Sequence, residues 1–252
     1  MPETKTKLPA KPRYTVIDCL RGLAVVCMVA YHLMWDLAYI YGVDMPWFDS
    51  AAMHIFQRSI RWAFILLSGF CFPLGRRQWK RGLLILGCSL VITLVSLVAI
   101  PDSPIHFGVL TLLGSSMLLT IPAHKLTKKW DPYLVLTIAA ALFGLTCRLP
   151  QGYVLHQPMP RAVYANYFTA YFGLPPYGFY SSDYVPLLPW FFAYLMGYGI
   201  YRIFEKHNWL RVFSLFRIPP FEWIGRHALI IYMAHQPLVY GLLWVVFAIL
   251  LR

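Results

Sequence analysis

The stretch that decides the fold reads Ile17-Asp18-Cys19-Leu20-Arg21-Gly22-Leu23-Ala24 and runs on to Tyr31-His32-Leu33-Met34-Trp35-Asp36. It is long and apolar enough to span a bilayer, yet it carries four ionisable side chains. At 100° per residue, Asp18, Arg21, His32 and Asp36 fall within about 60° of one another and form one polar stripe on one helix face. Charge in hydrocarbon is costly unless a bundle interior or a wet cavity receives it, so the stripe is a functional candidate by default. This helix is expected to line something.

The rest of the chain agrees with a membrane setting. Of its 252 residues 59% are hydrophobic and only 13% charged, and the mean hydropathy is +0.58, outside the range of a soluble domain of this length. The first apolar stretch, from Val16 to Tyr41, is too long for a signal-peptide core and lacks a small-residue cleavage site, so it is expected to remain as a span. The net charge of +12 does not point to nucleic acid, because the Lys and Arg residues come in short clusters between apolar runs. Five cysteines, Cys19, Cys27, Cys71, Cys88 and Cys147, stand singly in or beside apolar segments and read as small buried hydrophobes.

Runs of roughly 18 to 25 apolar residues fall at about 16–41, 54–75, 82–100, 105–123, 131–148, 186–204 and 222–250. The expected fold is an all-α, polytopic transmembrane helix bundle of about seven spans, built as one domain over 1–252. Basic residues occupy alternate connections: Lys5, Lys7, Lys11 and Arg13, then Arg76, Arg77, Lys80 and Arg81, then Lys125, Lys128 and Lys129, then Lys206, Arg211 and Arg217. The positive-inside rule therefore predicts a cytoplasmic N-terminal tail (1–13) and an outward C-terminus. The long fifth connection, 149–185, is crowded with tyrosine and phenylalanine, and is read either as a headgroup-layer segment or as a lid whose tyrosines cover a cavity mouth.

Three segments could supply chemistry. Counting from residue 16, Arg21 lies about 8 Å and His32 about 24 Å into the first span, at 1.5 Å per residue. Asp36, one turn beyond His32, has the i+4 spacing that lets a carboxylate accept a bond from one imidazole nitrogen and leave the other as a base. The second span carries His54, Arg58 and Arg61 at i, i+4, i+7, able either to bind an anionic or carbonyl-bearing group or to neutralise Asp36. The last brings His235 and Gln236 toward the bilayer middle beside Pro237, as substrate contacts or as interhelical bonds. No Walker loop, GxSxG elbow, HExxH or dinucleotide glycine pattern occurs, and no ligand spacing calls for a metal.

Taken in order, Ile17–Ala24 with Tyr31-His32, Phe64-Ile65-Leu66-Leu67-Ser68-Gly69, Phe107-Gly108-Val109-Leu110, Val185-Pro186-Leu187-Leu188-Pro189-Trp190, and Trp223-Ile224-Gly225-Arg226-His227 through Tyr232-Met233-Ala234-His235-Gln236-Pro237 resemble the bacterial membrane proteins grouped with the catalytic domain of heparan-alpha-glucosaminide N-acetyltransferase. The resemblance implies a transmembrane acyltransferase of the bacterial inner membrane. Acetyl-CoA would be used from the cytoplasm, and its acetyl group passed to an amine or hydroxyl of a sugar or glycolipid on the far side. On that scheme His32 and Asp36 are the catalytic candidates, and Arg58, Arg61, His54, His235 and Gln236 bind the acceptor. Arg21, shaped by Asp18, meets the acyl-CoA. The expected partners are the lipid bilayer, acyl-CoA, the acceptor and a second copy of the chain in a homodimer, with no nucleic acid and no metal. Two rival functions stay open: a small transporter or flippase that uses the stripe as a proton or substrate path, and a structural subunit of an envelope complex.

Overall fold

The computed structural model describes residues 14–250, so the basic tail 1–13 lies outside the described residues. Seven long helices carry the fold: α1 (Thr15–Trp35), α2 (Ala51–Cys71), α3 (Gln78–Ala99), α4 (Val109–Thr127), α5 (Pro132–Thr146), α7 (Leu187–Lys206) and α9 (Ala228–Val245). Two short helices, α6 (Tyr167–Tyr171) and α8 (Pro219–Arg226), join them, and the β structure among the described residues is one small hairpin, β1 (Tyr153–Val154) with β2 (Gln157–Pro158).

Five segments, Thr15–Ile40, Gln78–Ala99, Val109–Thr127, Pro132–Gln151 and Ala228–Ala248, are long and apolar enough to cross a membrane. The chain is therefore an integral membrane protein of the expected all-helical class. Helices α2 and α7 fall short of that apolarity. Arg58 and Arg61 lower it in α2, and Arg202, Glu205 and Lys206 in α7. Their position offers a reason, since α7 packs against α2, α4 and α5 and buries Ala193, Tyr194 and Tyr198 completely. A helix enclosed by others needs less apolar surface than one facing lipid.

The contacts fix how the helices run. Helix α1 lies parallel to α8 and α9: Gly22 meets Phe221 and Gly225, the rings of His32 and His235 are 5.0 Å apart, and Tyr41 stacks on Phe247 at 4.5 Å. Helix α2 is parallel to α7, with Trp62 against Trp190 and Phe70 against Tyr201, both with ring centroids at 5.3 Å. Helices α3 and α4 form an antiparallel hairpin, joined by the hydroxyls of Ser89 and Thr111 at 2.5 Å. Close approach rests on small residues. A Cβ on Gly69 would strike the Tyr194 carbonyl oxygen, and one on Gly197 the Leu66 carbonyl oxygen, as in glycine-mediated packing of membrane helices.

Two ends result. One, rich in basic residues, holds the start of α1, the end of α2 and the segment 209–227. There Arg202 donates to the carbonyls of Thr127 (2.7 Å), Lys128 (2.9 Å) and Trp130 (3.0 Å), and Lys206 bonds Asp131 at 2.5 Å. That bond, with the Tyr133 amide that Asp131 caps, holds the Asp131 carboxyl below the usual carboxylate range. The opposite end holds the residues after Trp35, the α3–α4 turn and the aromatic connection 149–185.

That connection is folded rather than loose. Its last part is stitched to the turn before α4, where Val185 N–H donates to the Phe107 carbonyl at 2.9 Å and Ser181 Oγ accepts from His106 N–H at 2.9 Å. The final span also differs from expectation. The run 222–250 breaks at His227, so α8 is a separate helix laid against α1, and the membrane-length segment starts at Ala228. Nor are all five cysteines buried: Cys147, at the end of α5, is exposed.

Candidate functional site

The polar stripe of α1 becomes two stations. At the basic end Arg21 donates to Asp18 Oδ1 (3.0 Å), to the Gly225 carbonyl (3.4 Å) and to Cys71 Sγ (3.1 Å). One guanidinium thus ties α1 to α8 and to the end of α2. Beside it Glu222, buried to 1% exposure, is paired with both Arg217 and Arg226.

The second station lies eleven residues along α1, about 16 Å away. Here His32, Asp36, His235 and Gln236 come together. The sequence suggested that Asp36 orients His32, and the bonding found is different. Asp36 is fully buried, and both its oxygens accept from Gln236 Nε2, at 2.8 and 3.1 Å. The physical reason is local and tertiary together. The helix widens to a π-helical turn over Asp36–Ile40, with Tyr41 N–H bonding the Asp36 carbonyl at 3.1 Å. The parallel α9 then delivers an amide donor to the desolvated carboxylate. The His32 ring instead packs on His235 and, edge-on at 5.8 Å, on Tyr31.

His235 is itself buried. Its Nδ1 lies 2.6 Å from the Tyr232 carbonyl oxygen, while its Nε2 is enclosed and has no hydrogen-bond partner. A carbonyl can only accept, so Nδ1 carries the hydrogen, and in the neutral ring Nε2 is then a bare lone pair.

The arginines of α2 separate. Arg61 turns inward, its guanidinium 5.7 Å from the Trp190 ring and within electrostatic range of Tyr31 and Tyr232, whereas Arg58 is exposed. His54 is also exposed, but lines a cleft of about 210 Å³ with Tyr31, Trp35, Tyr39, Phe48, Asp49 and Met53. Tyr39 hydroxyl donates to Asp49 at its mouth. His32 is not among the lining residues, and its ring touches that of Tyr31, which is.

Sequence reasoning missed two parts of this arrangement. Tyr31, Trp35 and Tyr39 follow one another at i+4, a helix-face signal that was available. Asp183 had no such signal. It comes from the aromatic connection, accepts from Val109 N–H at 3.4 Å at the start of α4, and lies within electrostatic range of His32 and Tyr232. Among the described residues no cluster of three or more His, Cys, Asp or Glu is arranged to hold a metal.

Fold and site together define a membrane protein that gathers ionisable groups at two stations along one helix of a helical bundle. Residues 13–237 match the family model described as heparan-alpha-glucosaminide N-acetyltransferase, catalytic, and the chain belongs to that family. Membership brings a membrane acyltransferase class of activity. No curated protein and no solved structure matches the chain.

Proposed function

We propose that the chain transfers an acetyl group from cytosolic acetyl-CoA to an amine or hydroxyl of an extracytoplasmic sugar or glycolipid, in a bacterial inner membrane. The basic end faces the cytoplasm in this reading, in line with the positive-inside rule. The donor enters past the Arg21–Asp18 clasp, and its pantetheine arm extends along α1 toward His32. The acceptor sits in the cleft, where Trp35 and Tyr39 offer faces for a sugar ring and Asp49 and His54 offer hydrogen bonds.

The reaction is a single displacement. As the acceptor N–H or O–H attacks the thioester carbonyl carbon, its proton passes to His32, and Arg61 steadies the developing oxyanion. The C–S bond then breaks, and His32 returns the proton to the departing thiolate, giving the acetylated acceptor and CoA. The observation that carries this reading is the place of His32: its ring packs on His235 and on Tyr31, which lines the cleft, and it shares its helix with the Arg21–Asp18 clasp at the basic end.

The test is turnover of radiolabelled acetyl-CoA by the purified protein in lipid nanodiscs, wild type beside His32→Ala, with amino sugars and glycolipids offered as acceptors. Saturable binding in both proteins with transfer in the wild type alone is the expected result. Binding and transfer absent from both would move the assignment to transport along the same stripe.

A further inference from the structure

The base assigned to His32 needs a partner that accepts one of its ring hydrogens and so leaves the other nitrogen free. Asp36 is committed to Gln236. An acceptor without a partner lies on the ring that packs against His32, on α9. His235 Nε2 is enclosed, has no partner, and belongs to a ring whose centroid is 5.0 Å from that of His32. Two imidazoles sharing an N–H···N bond of about 2.9 Å have centroids roughly 5 Å apart, so a small rotation about the side-chain bonds closes the pair.

We propose that His235 is the positioning residue of the transfer base: with its Nδ1–H held by the Tyr232 carbonyl, its bare Nε2 accepts the N–H of His32 and leaves the second His32 nitrogen to take the acceptor's proton. The proposal rests on the acyltransferase reading above. Its physical content is a buried acceptor that is costly to leave unpaired beside a ring that needs that kind of acceptor. The groups around the pair are Asp36 and Tyr31 from α1, Arg61 from α2, Asp183 from the connection before α7, and Tyr232 and Gln236 from α9. None of these is bonded to His235 Nε2.

Two measurements test it. The first needs no activity: nitrogen NMR of histidine-labelled protein in nanodiscs, with the His235 and His32 signals assigned from single variants. A neutral His235 protonated on Nδ1, with Nε2 shifted by an accepted hydrogen bond that disappears in His32→Ala, is expected; a His235 protonated on Nε2 overturns the proposal. The second is His235→Asn, whose side-chain amide can still donate to the Tyr232 carbonyl but has nothing at the Nε2 position. Its kcat should fall about 10²-fold, with KM for acetyl-CoA unchanged and the acid limb of the pH profile displaced. A purely structural His235 would leave kcat and the pH profile of this variant as in the wild type, and that result also overturns the proposal. Expected NMR signals in a wild type that turns over no acetyl-CoA would sink the acyltransferase reading while leaving the His32–His235 bond standing.

Discussion

Gly22 and Gly225 meet at the crossing of α1 and α8 with no room for a methyl group on either. A Cβ on Gly22 would run into the Phe221 carbonyl oxygen, and one on Gly225 into the Asp18 carbonyl oxygen. Two of the stretches that carry the family resemblance, Asp18-Cys19-Leu20-Arg21-Gly22 and Trp223-Ile224-Gly225-Arg226, are therefore two halves of one joint. The Arg21 guanidinium bridges the same place by its bonds to Asp18 and to the Gly225 carbonyl.

Because the obstacle at each glycine is backbone, a neighbouring side chain cannot yield by rotating. Gly225→Ala should destabilise the protein by about 1–3 kcal/mol, the usual cost of overpacking, with the larger end expected here. Gly241, which has open space where its Cβ would stand, is the control, and its replacement by Ala should leave stability at or above wild type. Thermal unfolding in one detergent, followed by tryptophan fluorescence, compares them directly; equal melting of Gly225→Ala and wild type would refute the tight crossing.

Asp36 and His32 lie one turn apart on α1, and their roles separate by partner. Removing the Asp36 carboxylate strands the Gln236 amide inside the bundle, so Asp36→Ala should cost about 1–3 kcal/mol of stability. His32→Ala removes the N–H proposed for the buried His235 Nε2, so it should cost about 1 kcal/mol of stability while abolishing transfer. The measurement is paired melting and acetyl-transfer assays on both variants. An Asp36→Ala protein as stable as wild type but inactive would restore Asp36 to the catalytic role the spacing suggested.

How much of this was legible in sequence depends on the distance over which each feature is decided. Apolar length alone marks α3, α4 and α5, whereas depth counting put His32 about 24 Å into the first span and His235 toward the bilayer middle, and it is the structure that brings their rings together. The Asp36–Gln236 bond joins residues two hundred positions apart, and an i+4 neighbour was the only partner that periodicity could offer. The break at His227 is hidden for a related reason. Gly225 with Arg226 and His227 is only a weak helix-end signal inside an apolar run, and α8 departs from α9 where it packs on α1. Asp183 is set in place by bonds between Ser181 and His106 and between Val185 and Phe107, all contacts across the chain.

The two arginines of α2 were equal candidates by spacing and are unequal in position. Arg61 faces Trp190 and the Tyr31–Tyr232 side of the site, while Arg58 is exposed. Arg61→Gln should lower kcat for acetyl transfer by about 10²-fold, the order found on removing one oxyanion donor. Arg58→Gln should stay within a few-fold of wild type. Steady-state rates at saturating acetyl-CoA decide it, and a reversed order of the two effects would place the oxyanion on the other face of α2.

Orientation can be read from one native thiol. Cys147 is exposed and sits where α5 ends, beside the connection that forms the aromatic end. Cys71 is at the opposite end, half-buried and in contact with Arg21. If the basic end faces the cytoplasm, a membrane-impermeant maleimide applied to right-side-out vesicles should label Cys147. Cys147→Ser should then remove most of that label, while the same reagent on inside-out vesicles leaves Cys147 unmodified. Labelling of Cys147 only from the inner side would invert the bundle. The Arg21–Asp18 clasp would then face outward, and an acyl donor from the cytoplasm would have to enter through the aromatic cleft beside His54.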